Sequence, residues 1–257
     1  MKKIFSRPRC LKPVPFRYCP GCGHSIAHRL IGESIDGLSL RERVVGIAPV
    51  GCAVFAYDYF DFDIIEAAHG RPPAVATALK RVMPDKIIFS YQGDGDLAAI
   101  GMAEIIHAAG RGENLSVFFV NNATYGMTGG QMAPTTVEGQ RTTTTRGGRN
   151  VSTHGHPIRV SELIASLDGA SFVQRVSLDS YRNIMIAGRA IKKAFQYQVD
   201  GSGFSFIEIL SPCPTDWGMT PAGSLEWMRE KLLKAYPPAV LKDKFSDKFS
   251  DGFAEAV

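Results

Sequence analysis

YQGDGDLAAIG, residues 91–101, follows directly on the apolar run Ile87-Ile88-Phe89 and opens into the helix-like stretch 97–110. A short β-like run, a glycine-rich turn and a helix make the unit from which parallel α/β sheets are built. One glycine and at most one Asp suffice to turn a chain, yet here Asp94 and Asp96 flank Gly95. Gly93 and Gly95 let the backbone approach another group closely. Two carboxylates at the end of a strand imply something cationic beside them.

Working outward, Val44–Val50, Lys86–Tyr91, Leu115–Val120, Phe172–Leu178 and Phe204–Leu210 are short runs of Val, Ile and Phe. Nearly continuous apolar runs of this length suit strands buried on both faces. Helix-like stretches alternate with them, roughly 24–37, 73–83, 97–110, 160–168 and 180–199, with Ser180 or Asp179 placed as an N-cap and Gly201 as a stop. The expected fold is therefore α/β, a parallel sheet with helices on both faces. Ligands of such sheets bind beyond the carboxyl ends of the strands. Cys52, Gly93–Asp96, Asn121–Gly130 and Cys213 all fall there. The segment 123–157, rich in Gly, Thr and Arg, is too long for an ordinary connection and reads as a binding loop. The chain divides into a basic arm over 1–18, the α/β domain over 19–222, and a C-terminal helix and tail over 223–257. The tail repeats Asp-Lys-Phe-Ser at 243–250 and reads as a docking or frayed segment.

At 257 residues the chain is long enough for one large domain with a full core. No apolar run approaches the roughly 18–20 residues of a membrane span. The N-terminus is basic but lacks the apolar centre of a secretory signal, so a cytoplasmic location is expected. Residues 1–17 carry six Lys or Arg and no acid, which suits a solvated arm or docking on an acidic partner. Prolines at 8, 13 and 15 argue against a nucleic-acid recognition helix there. The five cysteines, an odd number, do not suggest a disulfide framework.

Asn122 stands 28 residues after Asp94, at the tip of the next expected strand. A carboxylate, an amide oxygen and a nearby backbone carbonyl are hard ligands, too few for a closed cage. They suit Mg²⁺ that shares its shell with phosphate oxygens. The helix starting near Leu97 aims its N-terminal amides at the same place, which favours an anion. An EF-hand does not fit, because Leu97, Ala98 and Ala99 follow the two aspartates. Cys19-x-x-Cys22 with Cys52 and Cys213 gives four thiolates near one end of the sheet, which suits either Zn²⁺ or a [4Fe–4S] cluster. His24 and His28, four apart on a helix, read as surface or interface histidines. Thr142–Thr145 beside Arg141 and Arg146 reads either as a site for phosphate groups or as a polar cover.

Six motifs in one order carry a resemblance: CPGCGH (Cys19–His24), APVGC (Ala48–Cys52), HGR (His69–Arg71), GDG (Gly93–Gly95), NNATYGMTGGQ (Asn121–Gln131) and SPCPT (Ser211–Thr215). Together they resemble the thiamin-binding β subunit of 2-oxoacid:ferredoxin oxidoreductases. The resemblance implies that the Asp94 and Asn122 side chains and the Thr124 carbonyl hold Mg²⁺. It implies that Val50, Gly51, Cys52, Ala53, His69, Gly95, Asp96, Gly126 and Met127 line thiamin diphosphate. Many relatives have Ser at the position of Ala53. Cys19, Cys22, Cys52 and Cys213 would bind a [4Fe–4S] cluster, while Cys10 has no counterpart and reads as a free thiol.

The implied reaction is oxidative decarboxylation of a 2-oxoacid to acyl-CoA and CO₂, with electrons leaving singly to ferredoxin. The substrate would be branched-chain, such as 2-ketoisovalerate, or else 2-oxoglutarate, with pyruvate a further option. No catalytic residue is assigned within this chain. The glutamate that activates thiamin is expected from an α subunit, with γ and δ subunits as further candidate partners, so the chain alone is expected to be inactive. Two rival readings are a non-redox thiamin decarboxylase or synthase with a structural zinc, and a metal-binding assembly module with a vestigial clamp.

Overall fold

Alternate side chains of a strand face opposite sides of a sheet, so a strand packed on both sides must be apolar throughout. β3 (Ile87–Gly93) does this: Ile87, Phe89 and Tyr91 enter one core and Ile88 the other. The chain is described here by a computed structural model covering residues 6–248. All five expected strands are present: β1 (Val44–Ala48), β3, β4 (Ser116–Asn121), β5 (Ala170–Ser177) and β6 (Phe204–Leu210). Two more complete the sheet, β2 (Asp63–Glu66) and β7 (Ala239–Asp243), in the order β2-β1-β3-β4-β6-β5-β7.

Six strands run parallel, and β7 pairs antiparallel with β5. The sheet is thus mixed at that edge rather than wholly parallel. β2 is largely exposed and β7 carries Lys242 and Asp243, so neither has the apolar run that marks the inner strands. β7 falls within the region 223–257 read as a C-terminal helix and tail. The start of the Asp-Lys-Phe-Ser repeat docks on the sheet, where Lys244 N donates to Ser171 O at 3.0 Å. Residues 249–250 of the repeat and the start of the arm, 1–5, lie outside the described residues.

Helices His24–Gly37 and Tyr181–Val199 cover one face; Pro72–Val82, Met102–Gly110 and Val160–Ser166 cover the other. Phe89, Phe118 and Phe195 meet tilted and edge-on within the first core, each at most 1% exposed. Burying each ring contributes about 1.5–3 kcal/mol. Ser180 caps its helix by accepting from Asn183 N, and Gly201 turns out of it at φ +73°. A third cluster, Ala123, Val137, Leu210, Met228, Leu232 and Tyr236, ties the C-terminal helices to the strand tips. Among the described residues no helix is long and apolar enough to cross a membrane.

The helix expected over 97–110 is in two pieces, a π-type turn (Gly95–Ile100) followed by Met102–Gly110. Gly70 crosses at this break. A Cβ on Gly70 would meet Ile100 and Gly101 at 2.6–2.8 Å, so only glycine allows the His69 loop to lie against the start of the helix.

Candidate functional site

β3 and β4 are neighbours, with Gly93 opposite Val120, so their carboxyl tips stand side by side. Asp94 caps the π-type turn: its Oδ1 accepts from Gly95 N at 3.0 Å. Its Oδ2 accepts from Thr124 N at 3.1 Å and Thr135 Oγ1 at 3.0 Å. The same Thr124 N–H also donates to Asn122 Oδ1 at 3.2 Å. A carboxylate oxygen and an amide oxygen thus converge on one donor. Asp94 is 4% exposed, and burial pushes its carboxyl up to about 7 against the pull of its three hydrogen bonds.

Between Asn122 and Thr124, Ala123 is held at φ +56°, a left-handed conformation costing a non-glycine residue about 1–2 kcal/mol. Its N–H donates to Asn121 Oδ1 at 3.0 Å. Its carbonyl accepts from Thr136 Oγ1 at 2.7 Å and Gln140 Nε2 at 3.1 Å. Asn121 is fixed in turn by Glu208 Oε1 at 2.7 Å, and Glu208 accepts from Ser161 and from Arg175 Nε at 2.7 Å. Glu208 and Arg175 are both fully buried.

Asp96 joins two loops to β3. Its Oδ1 accepts from Val50 N at 3.2 Å, His69 Nδ1 at 2.7 Å and Gly70 N at 2.9 Å, and its Oδ2 from Gln92 Nε2 at 2.6 Å. A carboxylate oxygen accepts, so His69 Nδ1 is the donor in this pair. One cleft of about 170 Å³ is lined by all nine residues implied for thiamin, together with Asp94 and Asn122. Thr124 is 1% exposed and lies behind that wall. Beside Gly51, at φ +102°, and Gly93, a Cβ would meet no atom within 4 Å, so bare backbone borders open space.

The cysteines come from three loops beside this cleft. Cys52 follows β1 and lines the cleft, Cys213 follows β6, and Cys19 and Cys22 precede the helix His24–Gly37, with Cys22 N donating to Cys19 O at 3.0 Å. Cys19 is exposed, Cys22 and Cys52 are half-buried and Cys213 is buried. Burial, then the neighbouring Cys19 and Asp216, push the Cys22 thiol up to about 11. Burial, then Cys22, Asp216 and Cys19, push Cys52 up to about 12. Cys213, whose Sγ–H donates to Asp216 Oδ2 at 3.2 Å, is pushed up further. Among the described residues no three His, Cys, Asp or Glu side chains are grouped closely enough to hold a single metal ion. Cys10 lies apart, fully buried, its thiol donating to Gly32 O at 3.3 Å.

Residues 50–209 match the thiamine pyrophosphate enzyme family, C-terminal TPP binding domain. The 2-oxoglutarate synthase subunit KorB of Methanocaldococcus jannaschii is 35% identical, over 84% of this chain and 78% of its own length. The chain belongs to the thiamin diphosphate-binding subunits of the 2-oxoacid:ferredoxin oxidoreductase family. Within that family, the ketoisovalerate oxidoreductase subunit VorA of Methanothermobacter marburgensis is 47% identical over 96% of this chain and 52% of the relative. The chain therefore spans about half the length of that oxidoreductase subunit. A solved structure, 2-oxoglutarate:ferredoxin oxidoreductase from Magnetococcus marinus with 2-oxoglutarate, coenzyme A and succinyl-CoA bound, superposes with a TM-score of 0.73 at 25% identity. The match covers 89% of this chain and 74% of that one.

Against this family frame, one expectation fails and several residues are new. His24 and His28 are not surface histidines: they are 3% and 0% exposed, packed among Tyr18, Tyr59, Phe60 and Tyr91. His24 Nδ1 lies 2.6 Å from Tyr91 Oη, and His28 Nε2 lies 2.7 Å from Tyr18 Oη. Burial lowers His24 to about 4 and holds His28 well below its ordinary range, so both are neutral near pH 7. The threonine run is partly turned inward, with Thr142 and Thr145 buried and their hydroxyls 2.5 Å apart. Gln92, Thr135, Glu208 and Asp216 escape sequence reading. Each reaches the site from a distant or unremarkable position, and only the spacing of Gln92 from Asp96, four residues, offered a signal.

Proposed function

We propose that this chain is the thiamin- and cluster-bearing portion of a 2-oxoacid:ferredoxin oxidoreductase that converts a branched-chain 2-oxoacid, such as 2-ketoisovalerate, to acyl-CoA and CO₂. The observation that carries this is the convergence of Asp94 and Asn122 on the Thr124 amide, at the wall of a cleft that also presents Cys52. Asp94, Asn122 and the Thr124 carbonyl would hold Mg²⁺. The donor set fits: hard oxygens, a buried carboxylate with no basic side chain bonded to it among the described residues, and glycine backbone open at Gly51 and Gly93 for a diphosphate. Cys19, Cys22, Cys52 and Cys213 would hold a [4Fe–4S] cluster. When bound, thiamin diphosphate supplies a nucleophilic carbon and electron sink for loss of CO₂, and the cluster a one-electron outlet.

The chain's own residues position these groups. Asp96 holds the His69 ring, which lines the cleft, through Nδ1. Cys52 lines the cleft, so a cluster held through it would lie beside the bound thiamin diphosphate. Trp217 Nε1 donates to Asn122 O at 3.1 Å and ties the Cys213 loop to the clamp. Val50, Ile100 and Met127 line the cleft with exposed apolar side chains. They suit contact with an α subunit that brings the activating glutamate. Further γ or δ subunits, ferredoxin and coenzyme A complete the assembly, and free cysteines suit a cytoplasmic, reducing location.

For the substrate, the identity to a ketoisovalerate enzyme is supported by chemistry. Among the described residues, this chain lines the cleft with no Lys or Arg that could meet the second carboxylate of 2-oxoglutarate. The test is substrate-dependent ferredoxin reduction by the complex assembled with its partner subunits. We expect kcat/KM for 2-ketoisovalerate to exceed that for 2-oxoglutarate by about tenfold or more. A reversed preference contradicts the substrate, and decarboxylation without ferredoxin reduction contradicts the redox reading.

A further inference from the structure

We propose that Thr135 is a positioning residue for Mg²⁺: its hydroxyl fixes Asp94 so that one chosen oxygen faces the cation. This rests on the cofactor reading above. Thr135 stands 41 residues from Asp94 in sequence and is fully buried, and its Oγ1 donates to Asp94 Oδ2 at 3.0 Å. Thr124 N donates to the same oxygen at 3.1 Å, whereas Oδ1 accepts from Gly95 N. Oδ2 is thus occupied twice, and Oδ1 is the oxygen with a lone pair left over for a cation.

The segment 133–149 is built to hold this hydroxyl in place. Tyr236 Oη donates to Thr135 O at 2.8 Å, and Thr136 Oγ1 reaches back to Ala123 O at 2.7 Å, inside the clamp strip itself. Arg149, 5% exposed, points its Nη1 at the carbonyls of Ala133, Pro134 and Thr136 at 3.2, 2.9 and 2.7 Å. Its Nε and Nη2 donate to the carbonyls of Gly155, His154 and His156. The long connection is therefore wound around a guanidinium, with Thr135 directed from its rim onto the carboxylate.

Thr135→Val removes the donor and keeps the shape. In the complex assembled with its partner subunits, thiamin diphosphate binding is titrated against Mg²⁺ by calorimetry. The variant is expected to need about 10–100-fold more Mg²⁺, the usual loss when a partner of a metal ligand is removed, and to bind normally once Mg²⁺ saturates. Thr135→Ser, which restores the hydroxyl, is expected to restore the wild-type Mg²⁺ dependence. A merely structural hydroxyl would lower the melting temperature of the Mg²⁺-free protein and leave that dependence unmoved. That result, or a valine variant titrating like wild type, overturns the role. Wild-type complex showing no Mg²⁺-dependent binding overturns the cofactor reading itself. If the valine variant fails to assemble, Thr135→Ala against Thr135→Ser makes the same comparison.

Discussion

The strand-tip clamp and the cysteine loops lie side by side and are built in opposite ways. Asp94, Asn122 and Thr124 are at most 9% exposed, and hydrogen bonds from Gly95 N, Thr124 N and Thr135 Oγ1 hold the side-chain oxygens of Asp94 and Asn122. The four cysteines come from three separate loops, range from exposed to buried, and are held by few bonds of their own. A small hard cation demands near-ideal geometry and pre-placed ligands. A thiolate-bound centre can gather its own ligands, because metal binding and local folding are coupled. The difference predicts that clamp mutations act on affinity through geometry, and cysteine mutations on occupancy alone.

The sharpest way to break the comparison is Asp94→Ala, which removes a ligand rather than its support. Calorimetry should show Mg²⁺-dependent thiamin diphosphate binding weakened on the order of 100-fold or more, beyond the range for outer partners. Occupancy of the proposed cluster site on the cysteine loops should be unchanged. Next in size is Glu208→Gln, which unbalances the buried Arg175 pair behind Asn121. A loss of about 3 kcal/mol is expected, the low end for a buried pair because Glu162 still faces the guanidinium. Thermal unfolding should fall by roughly 10 °C; an unchanged melting temperature would mean that the network does not brace the clamp.

A last difference is in pH, and it separates the two regions by window. Asp94 has its carboxyl raised from 3.8 to about 7 without a cation. Between those values the folded chain binds the extra proton, so its contribution to stability falls as pH rises from about 4 to about 7. Mg²⁺ needs the ionised carboxylate and opposes this loss, so the stabilisation by Mg²⁺ and thiamin diphosphate should grow from pH 6 to pH 8. Without a cluster, Cys22 and Cys52, raised from 9.0 to about 11 and about 12, are protonated in both states over that window. Their contribution is lost only above about pH 9. Melting curves with and without Mg²⁺ across this range check both halves.

The inner strands were legible because burial on two faces forces an apolar run. β2 and β7 were not, being edge strands with solvent on one side. Asp94 and Asn122 could be paired from sequence because successive strands of a parallel sheet set their tips together. Thr135 could not, because nothing local says that a threonine in a long polar connection turns onto a carboxylate 41 residues away. His24 and His28 were misread for a related reason. Spacing puts them on one helix face but does not say that Tyr18, Tyr59 and Tyr91 cover it.

The central claim is that an iron–sulfur cluster shares Cys52 with the thiamin cleft. The measurement that tests it most directly is the EPR spectrum of the dithionite-reduced complex, assembled anaerobically, for wild type and Cys52→Ser. The account predicts a fast-relaxing half-integer-spin signal that disappears in the variant while Mg²⁺-dependent thiamin diphosphate binding persists. A silent spectrum from wild-type protein containing zinc and no iron, or a signal untouched by Cys52→Ser, would contradict it.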